Sequence, residues 1–173
     1  MKKVVVCVSA LVALSLAAMA QANKNPWAKF NPGSWQKTKI TTEMNMAGNV
    51  NKTQMETKMT LLAKTADKVT VESETTVMGR PTKTKVDIPM SAGVTGTSKP
   101  VASPKIGSET ITVAGKTFKC MTAEFQTDTN GVKATVKSWT AEEVPGGLVK
   151  MVTVTSGQMS MKSTMELVDF KAM

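Results

Sequence analysis

Lys133–Thr155, KATVKSWTAEEVPGGLVKMVTVT, decides the fold class. Val132, Ala134 and Val136 alternate with Lys133, Thr135 and Lys137, the period-two pattern of a strand with one face covered. Trp139 ends that run, Glu142 and Glu143 mark a polar corner, and Val144-Pro145-Gly146-Gly147 turns the chain. Proline fixes one φ there and the glycines permit positive ones. Leu148–Val154 returns with the same alternation. The stretch reads as strand, corner, strand. Trp139 is also a candidate rim residue, because binding residues concentrate on loops held by rigid elements.

Toward the N-terminus the same period recurs. Thr38, Ile40, Thr42, Met44 and Met46 oppose Lys37, Lys39, Thr41, Glu43 and Asn45. Met55, Thr57, Met59 and Leu61 oppose Gln54, Glu56 and Lys58; Val69 and Val71 oppose Lys68, Thr70 and Glu72; Val86 and Ile88 oppose Lys85 and Asp87. Short turns between these runs predict an antiparallel meander. Pro89–Gly107 then breaks the period with prolines, glycines and serines, and reads as a long connection between two halves of one sheet. The second half runs through Glu109–Val113, Thr117–Thr127, an Asn130-Gly131 hairpin signal, the opening stretch and Met159–Phe170. The expected fold is all-β: an antiparallel meander of about nine strands forming a curved sheet, half-barrel or open barrel. Two prolines, Pro26 and Pro32, bracket a short N-terminal helical turn that Trp27 and Phe30 would pin to the domain.

Residues 1–20 read as a signal peptide: Lys2-Lys3, an apolar run Val4–Leu16, and Ala18-Met19-Ala20 as an A-x-A cleavage site. The mature chain, Gln21–Met173, is expected as a single antiparallel β domain, exported to the periplasm or secreted. Loss of Lys2 and Lys3 lowers the formal charge from +9 to +7. The positive residues are almost all singly spaced lysines, with Arg80 the only arginine and no tyrosine in the chain. Nucleic-acid surfaces cluster arginine with stacking aromatics, so no nucleic-acid partner is expected; peripheral contact with anionic envelope surfaces is. Cys120 is the one cysteine left after cleavage, so no internal disulfide forms. Its strand context, Phe118-Lys119-Cys120-Met121, favours a buried thiol over an exposed one.

The chain contains no histidine. That removes His-activated nucleophiles and the usual zinc sites. No glycine-rich phosphate loop opens a helix. The carboxylate pairs Glu72/Glu74 and Glu142/Glu143 lie on a lysine-facing strand and on a corner, where solvated charge is the simpler reading than acid–base work. No catalytic residue, cofactor or metal is expected, and the chain does not read as an enzyme. Fourteen methionines, two of them in residues 1–20, remain to be explained. Thioethers select Cu(I), so Met-based copper binding is a minor alternative. Ile40, Met44, Met55, Met59, Met161 and Met165 all fall on the apolar sides of their strands, where a pliable surface for an apolar ligand accounts for them. They are the candidate ligand-binding residues, with Trp27 and Trp139 as candidate rim.

The signal segment, the first meander, the long mid-chain connection and the second meander together resemble the periplasmic lipoprotein carriers. The PGGLVK turn after Trp139 is similar to small exported bacterial proteins of unassigned function. The carrier resemblance implies a half-barrel closing over an apolar cavity, with a lipid or lipoprotein acyl chain as partner. The other reading left by the residues is a structural or interaction protein of the cell envelope with a closed core.

Overall fold

A computed structural model describes residues 25–46, 49–77, 80–91, 103–129, 132–156 and 160–173. The expected signal segment, the expected Asn130-Gly131 turn and most of the expected Pro89–Gly107 connection lie outside the described residues. Nine strands are present: β1 (Trp35–Met46), β2 (Asn49–Lys64), β3 (Lys68–Val77), β4 (Arg80–Pro89), β5 (Lys105–Val113), β6 (Lys116–Thr129), β7 (Val132–Thr140), β8 (Leu148–Ser156) and β9 (Ser160–Lys171). They form one antiparallel sheet in the order β4-β3-β2-β1-β9-β8-β7-β6-β5. The sheet is open, with β4 and β5 as its edges. The chain therefore builds the first half outward from the centre, β1 to β4, and the second half inward from the other edge, β5 to β8, until β9 joins them.

The alternation read from the sequence fixes the register. Ile40 stands opposite Met55 on one side and Met165 on the other; Met44 stands opposite Met161. Charges fall on the other face, as cross-strand pairs such as Lys37–Glu56 at 2.7 Å and Lys150–Glu166 at 2.8 Å. The Lys37 ammonium, by its hydrogen bond and its charge, holds the Glu56 carboxyl below the usual carboxylate range. Such exposed pairs contribute little to stability. Pro81 sits inside β4, opposite Thr76. A proline is tolerated there because β4 is an edge whose outer N–H groups have no strand to bond. β5 begins at Lys105, three residues inside the stretch that reads as connection.

Among the described residues there is no helix. Asn25–Phe30 folds as tight turns, with Ala28 N–H donating to Asn25 O and Phe30 N–H to Trp27 O. Trp27 and Phe30 pack on Leu61, Val69 and Val71, the core of the first half. Lys64 Nζ donates to the carbonyls of Ala28 and Phe30, and Met173 N–H donates to Ser34 Oγ, so both ends of this segment are tied down. A second core joins Phe118, Cys120, Trp139, Val144, Val149 and Leu167. Cys120 is buried there, as its strand context indicates.

Candidate functional site

Between Thr140 and Leu148 the chain makes a compact corner. Ala141 N–H donates to Gly147 O, and Gly147 N–H to Val144 O, each at 2.8 Å. Gly146 and Gly147 have φ of +79° and +77°, the left-handed region that only glycine enters without strain. Gly146 is also close-packed: a Cβ there would stand 2.8 Å from Trp27 Cζ2 and 2.7 Å from Gln36 Nε2. The corner thus presses on the N-terminal segment through a position with no room for a side chain. Ala141 and Val144 point inward and are buried, whereas Glu142 and Glu143 are exposed.

Asn25 fixes the other wall. Its Oδ1 accepts from Trp27 N–H at 2.9 Å and its Nδ2 donates to Pro89 O at 2.9 Å. Between this segment, the corner and strands β5–β7 lies a half-open cavity of about 1020 Å³. Uncharged side chains line much of it: Ile106, Met121, Ala123, Ser138, Ala141 and Val144. Ile106 and Met121 are 56% and 55% exposed. The hydroxyls of this lining are turned to the sheet, with Ser138 Oγ donating to Ala123 O and Thr140 Oγ1 to Met121 O. Lys29, Lys119, Glu142 and Glu143 also line the cavity.

None of the six candidate residues read from the sequence lines this cavity. Register nevertheless connects three of them to it. Met55, Ile40, Met165, Met151, Ser138, Ala123 and Ile106 are successive cross-strand neighbours, one from each strand from β2 to β5. The row carries no charge and runs into the cavity at its β5 end. Of the six, Ile40 is buried and Met44, Met55, Met59, Met161 and Met165 are half-buried. Met59 packs against the Trp27 cluster, and Met165 against Val136, Leu148 and Met151.

The two tryptophans are both buried. Trp27 is 1% exposed, beneath the corner. Trp139 is 8% exposed and lies on the sheet face opposite to Ser138. Its Nε1–H donates to Glu109 Oε2 at 2.7 Å, and the Lys137 and Lys150 ammonium groups lie 4.8 and 5.9 Å from its ring. Among the described residues no three His, Cys, Asp or Glu side chains gather as a metal site. Ile106 and Met121 are not candidates on sequence; Ile106 alternates with Lys105, but Met121 lies on the same face as Lys119 and carries no such signal.

No protein-family model matches the chain, and no curated protein matches it. Two solved structures are similar to it. One is a "putative lipoprotein" from Parabacteroides distasonis, 12% identical, with a TM-score of 0.47 over 87% of this chain and all of that one. The other is a DUF1329 family protein from Desulfovibrio piger, 8% identical, with a TM-score of 0.24 over 94% of this chain and 92% of that one.

Proposed function

We propose that this is an exported, non-enzymatic β-protein that holds an apolar ligand, with the ligand's deepest part in the cavity between the corner and the N-terminal segment. The observation that carries this reading is the cavity itself, about 1020 Å³ with Ile106 and Met121 exposed on its wall. Pockets that take small molecules run to roughly 300–1,000 Å³ and are mostly apolar with a few placed polar groups. Met121, on the cavity wall, is a flexible thioether that adapts to varied shapes. Each CH₂ moved out of water contributes about 0.8 kcal/mol, so an acyl chain has enough to offset its ordering.

The test is binding of a neutral fluorophore, N-phenyl-1-naphthylamine, to delipidated protein purified after export. Saturable binding is expected, displaced by a fatty acid. Ile106→Ser with Met121→Gln should weaken it while the far-ultraviolet circular dichroism is kept. Absence of saturable binding by the unaltered protein would remove this reading. It would favour the second one, an envelope structural protein, which the burial of Ile40, Val136 and Met151 in the middle of the sheet supports.

A further inference from the structure

Four charged residues among those lining the cavity distinguish among apolar ligands. Lys29 comes from the N-terminal segment, Lys119 from β6, and Glu142 and Glu143 from the corner. Lys29 Nζ and Glu142 Oε2 are 3.9 Å apart, with side chains 51% and 95% exposed. A pair so long and so wet is held weakly and is easily parted by a ligand. Among the described residues Lys119 and Glu143 make no ion pair. The lining thus offers two cations and two anions beside uncharged side chains. No aromatic ring lines the cavity among the described residues.

Resting on the reading that the cavity holds an apolar ligand, we propose that this ligand is a glycerophospholipid whose head group carries both a phosphate and a primary ammonium, as phosphoethanolamine does. The phosphate lies toward Lys29 and Lys119, and the ammonium donates to the carboxylates of Glu142 and Glu143. A free fatty acid or a phosphoglycerol head brings negative charge alone and leaves the two glutamates opposed. A quaternary ammonium such as phosphocholine is recognised by aromatic faces, which this wall lacks. The acyl chains take the uncharged part of the lining, whose hydroxyls are already bonded to backbone carbonyls. Rim charges of this kind act on selectivity more than on total affinity.

The experiment is competition for N-phenyl-1-naphthylamine bound to the protein purified after export, using dihexanoyl lipids below their micelle concentrations. Phosphatidylethanolamine should displace the probe at a concentration about fivefold lower than phosphatidylglycerol or phosphatidylcholine, the effect of one modest charge interaction. Glu142→Gln with Glu143→Gln should abolish the difference between ethanolamine and glycerol heads. Lys29→Gln with Lys119→Gln should weaken both. Glycerophosphoethanolamine, which lacks the chains, should not displace. Equal displacement by all three lipids, an unchanged ratio in the glutamate variant, or displacement by the chainless head would overturn the head-group assignment while leaving the apolar site intact. A probe that does not bind at all would overturn the apolar site as well.

Discussion

The rings of Phe118 and Phe170 stand 6.1 Å apart at 53°, although two whole strands lie between theirs in the sheet. Neighbouring strands are about 4.8 Å apart, so three steps across a flat sheet would separate them by ~14 Å. The sheet rolls at this end, and Lys116 lies 4.6 Å over the Phe170 ring where the roll brings the two together. Aromatic pairs of this geometry contribute about 0.5–1.5 kcal/mol beyond their buried area. A double-mutant cycle of Phe118→Leu and Phe170→Leu, read by urea unfolding, should return a coupling in that range. Strict additivity would mean that the rings touch without helping to hold the roll.

Gly146→Ala should destabilise the protein by clearly more than Gly115→Ala. Both positions have positive φ, +79° and +72°, so both variants incur a backbone cost of about 1 kcal/mol. Only at Gly146 does the added methyl meet Trp27 and Gln36 below 3 Å; at Gly115 it meets nothing within 4 Å. Equal losses of melting temperature would show that the Trp27 contact yields at no cost.

Ala114 precedes Gly115 in the two-residue β5–β6 turn and itself has φ of +52°. Two successive positive φ values suit an Asn-Gly or Gly-Gly turn better than Ala-Gly. Ala114→Gly or Ala114→Asn should therefore raise stability by about 0.5–1 kcal/mol. A loss on thermal unfolding would indicate that the methyl packs usefully.

Burial, with the Glu143 and Glu109 charges adding to it, pushes the Cys120 thiol up to about 11 from an ordinary value near 9. The folded protein then holds this proton between pH 9 and 11, where the unfolded chain has released it. Stability from this group is present below pH 9 and lost as pH rises toward 11. Labelling with a water-soluble maleimide at pH 8 should be slow until denaturant is added. Rapid stoichiometric labelling of the native protein would place the thiol at the surface.

Glu109 responds at the other end of the scale. The Lys137 ammonium first, and the Trp139 N–H second, hold its carboxyl below the usual range. Its contribution is present above the ordinary carboxylate value and is lost as pH falls through the depressed one. Acid titration should change the Trp139 emission in a step that Glu109→Gln removes. A step that survives this substitution would have another source.

Much of the sheet was legible because alternation is a local property. Ile40, Met55 and Met165 could be assigned to one face without knowing that β1 lies between β2 and β9. Ile106 was hidden by its neighbour: Gly107 and Ser108 weaken a strand signal, so KIGSE reads as the end of a connection. Trp139 reads as a rim residue because it stands with Glu142 and Glu143 at a loop corner, where binding residues concentrate. Its partner Glu109 is 30 residues away, and no periodicity reports such a pairing. The cavity is harder still. It exists only where Asn25–Lys29, Ile106 and Glu142–Val144 meet, three stretches that no local pattern brings together.

The place of β9 sets the order in which this architecture can be completed. β1 to β4 and β5 to β8 can each zip from hairpin to hairpin as the chain emerges, but no strand ladder joins the two meanders except through the last strand. The closing β1–β9 ladder joins Trp35 to Lys171, a loop of nearly the whole domain. Closing so long a loop is entropically slow, and until it happens two unsealed edges stand open to other chains. Folding is thus a late, single event governed by the C-terminal strand, and a chain shortened by that one strand would be two meanders rather than a smaller version of the same sheet.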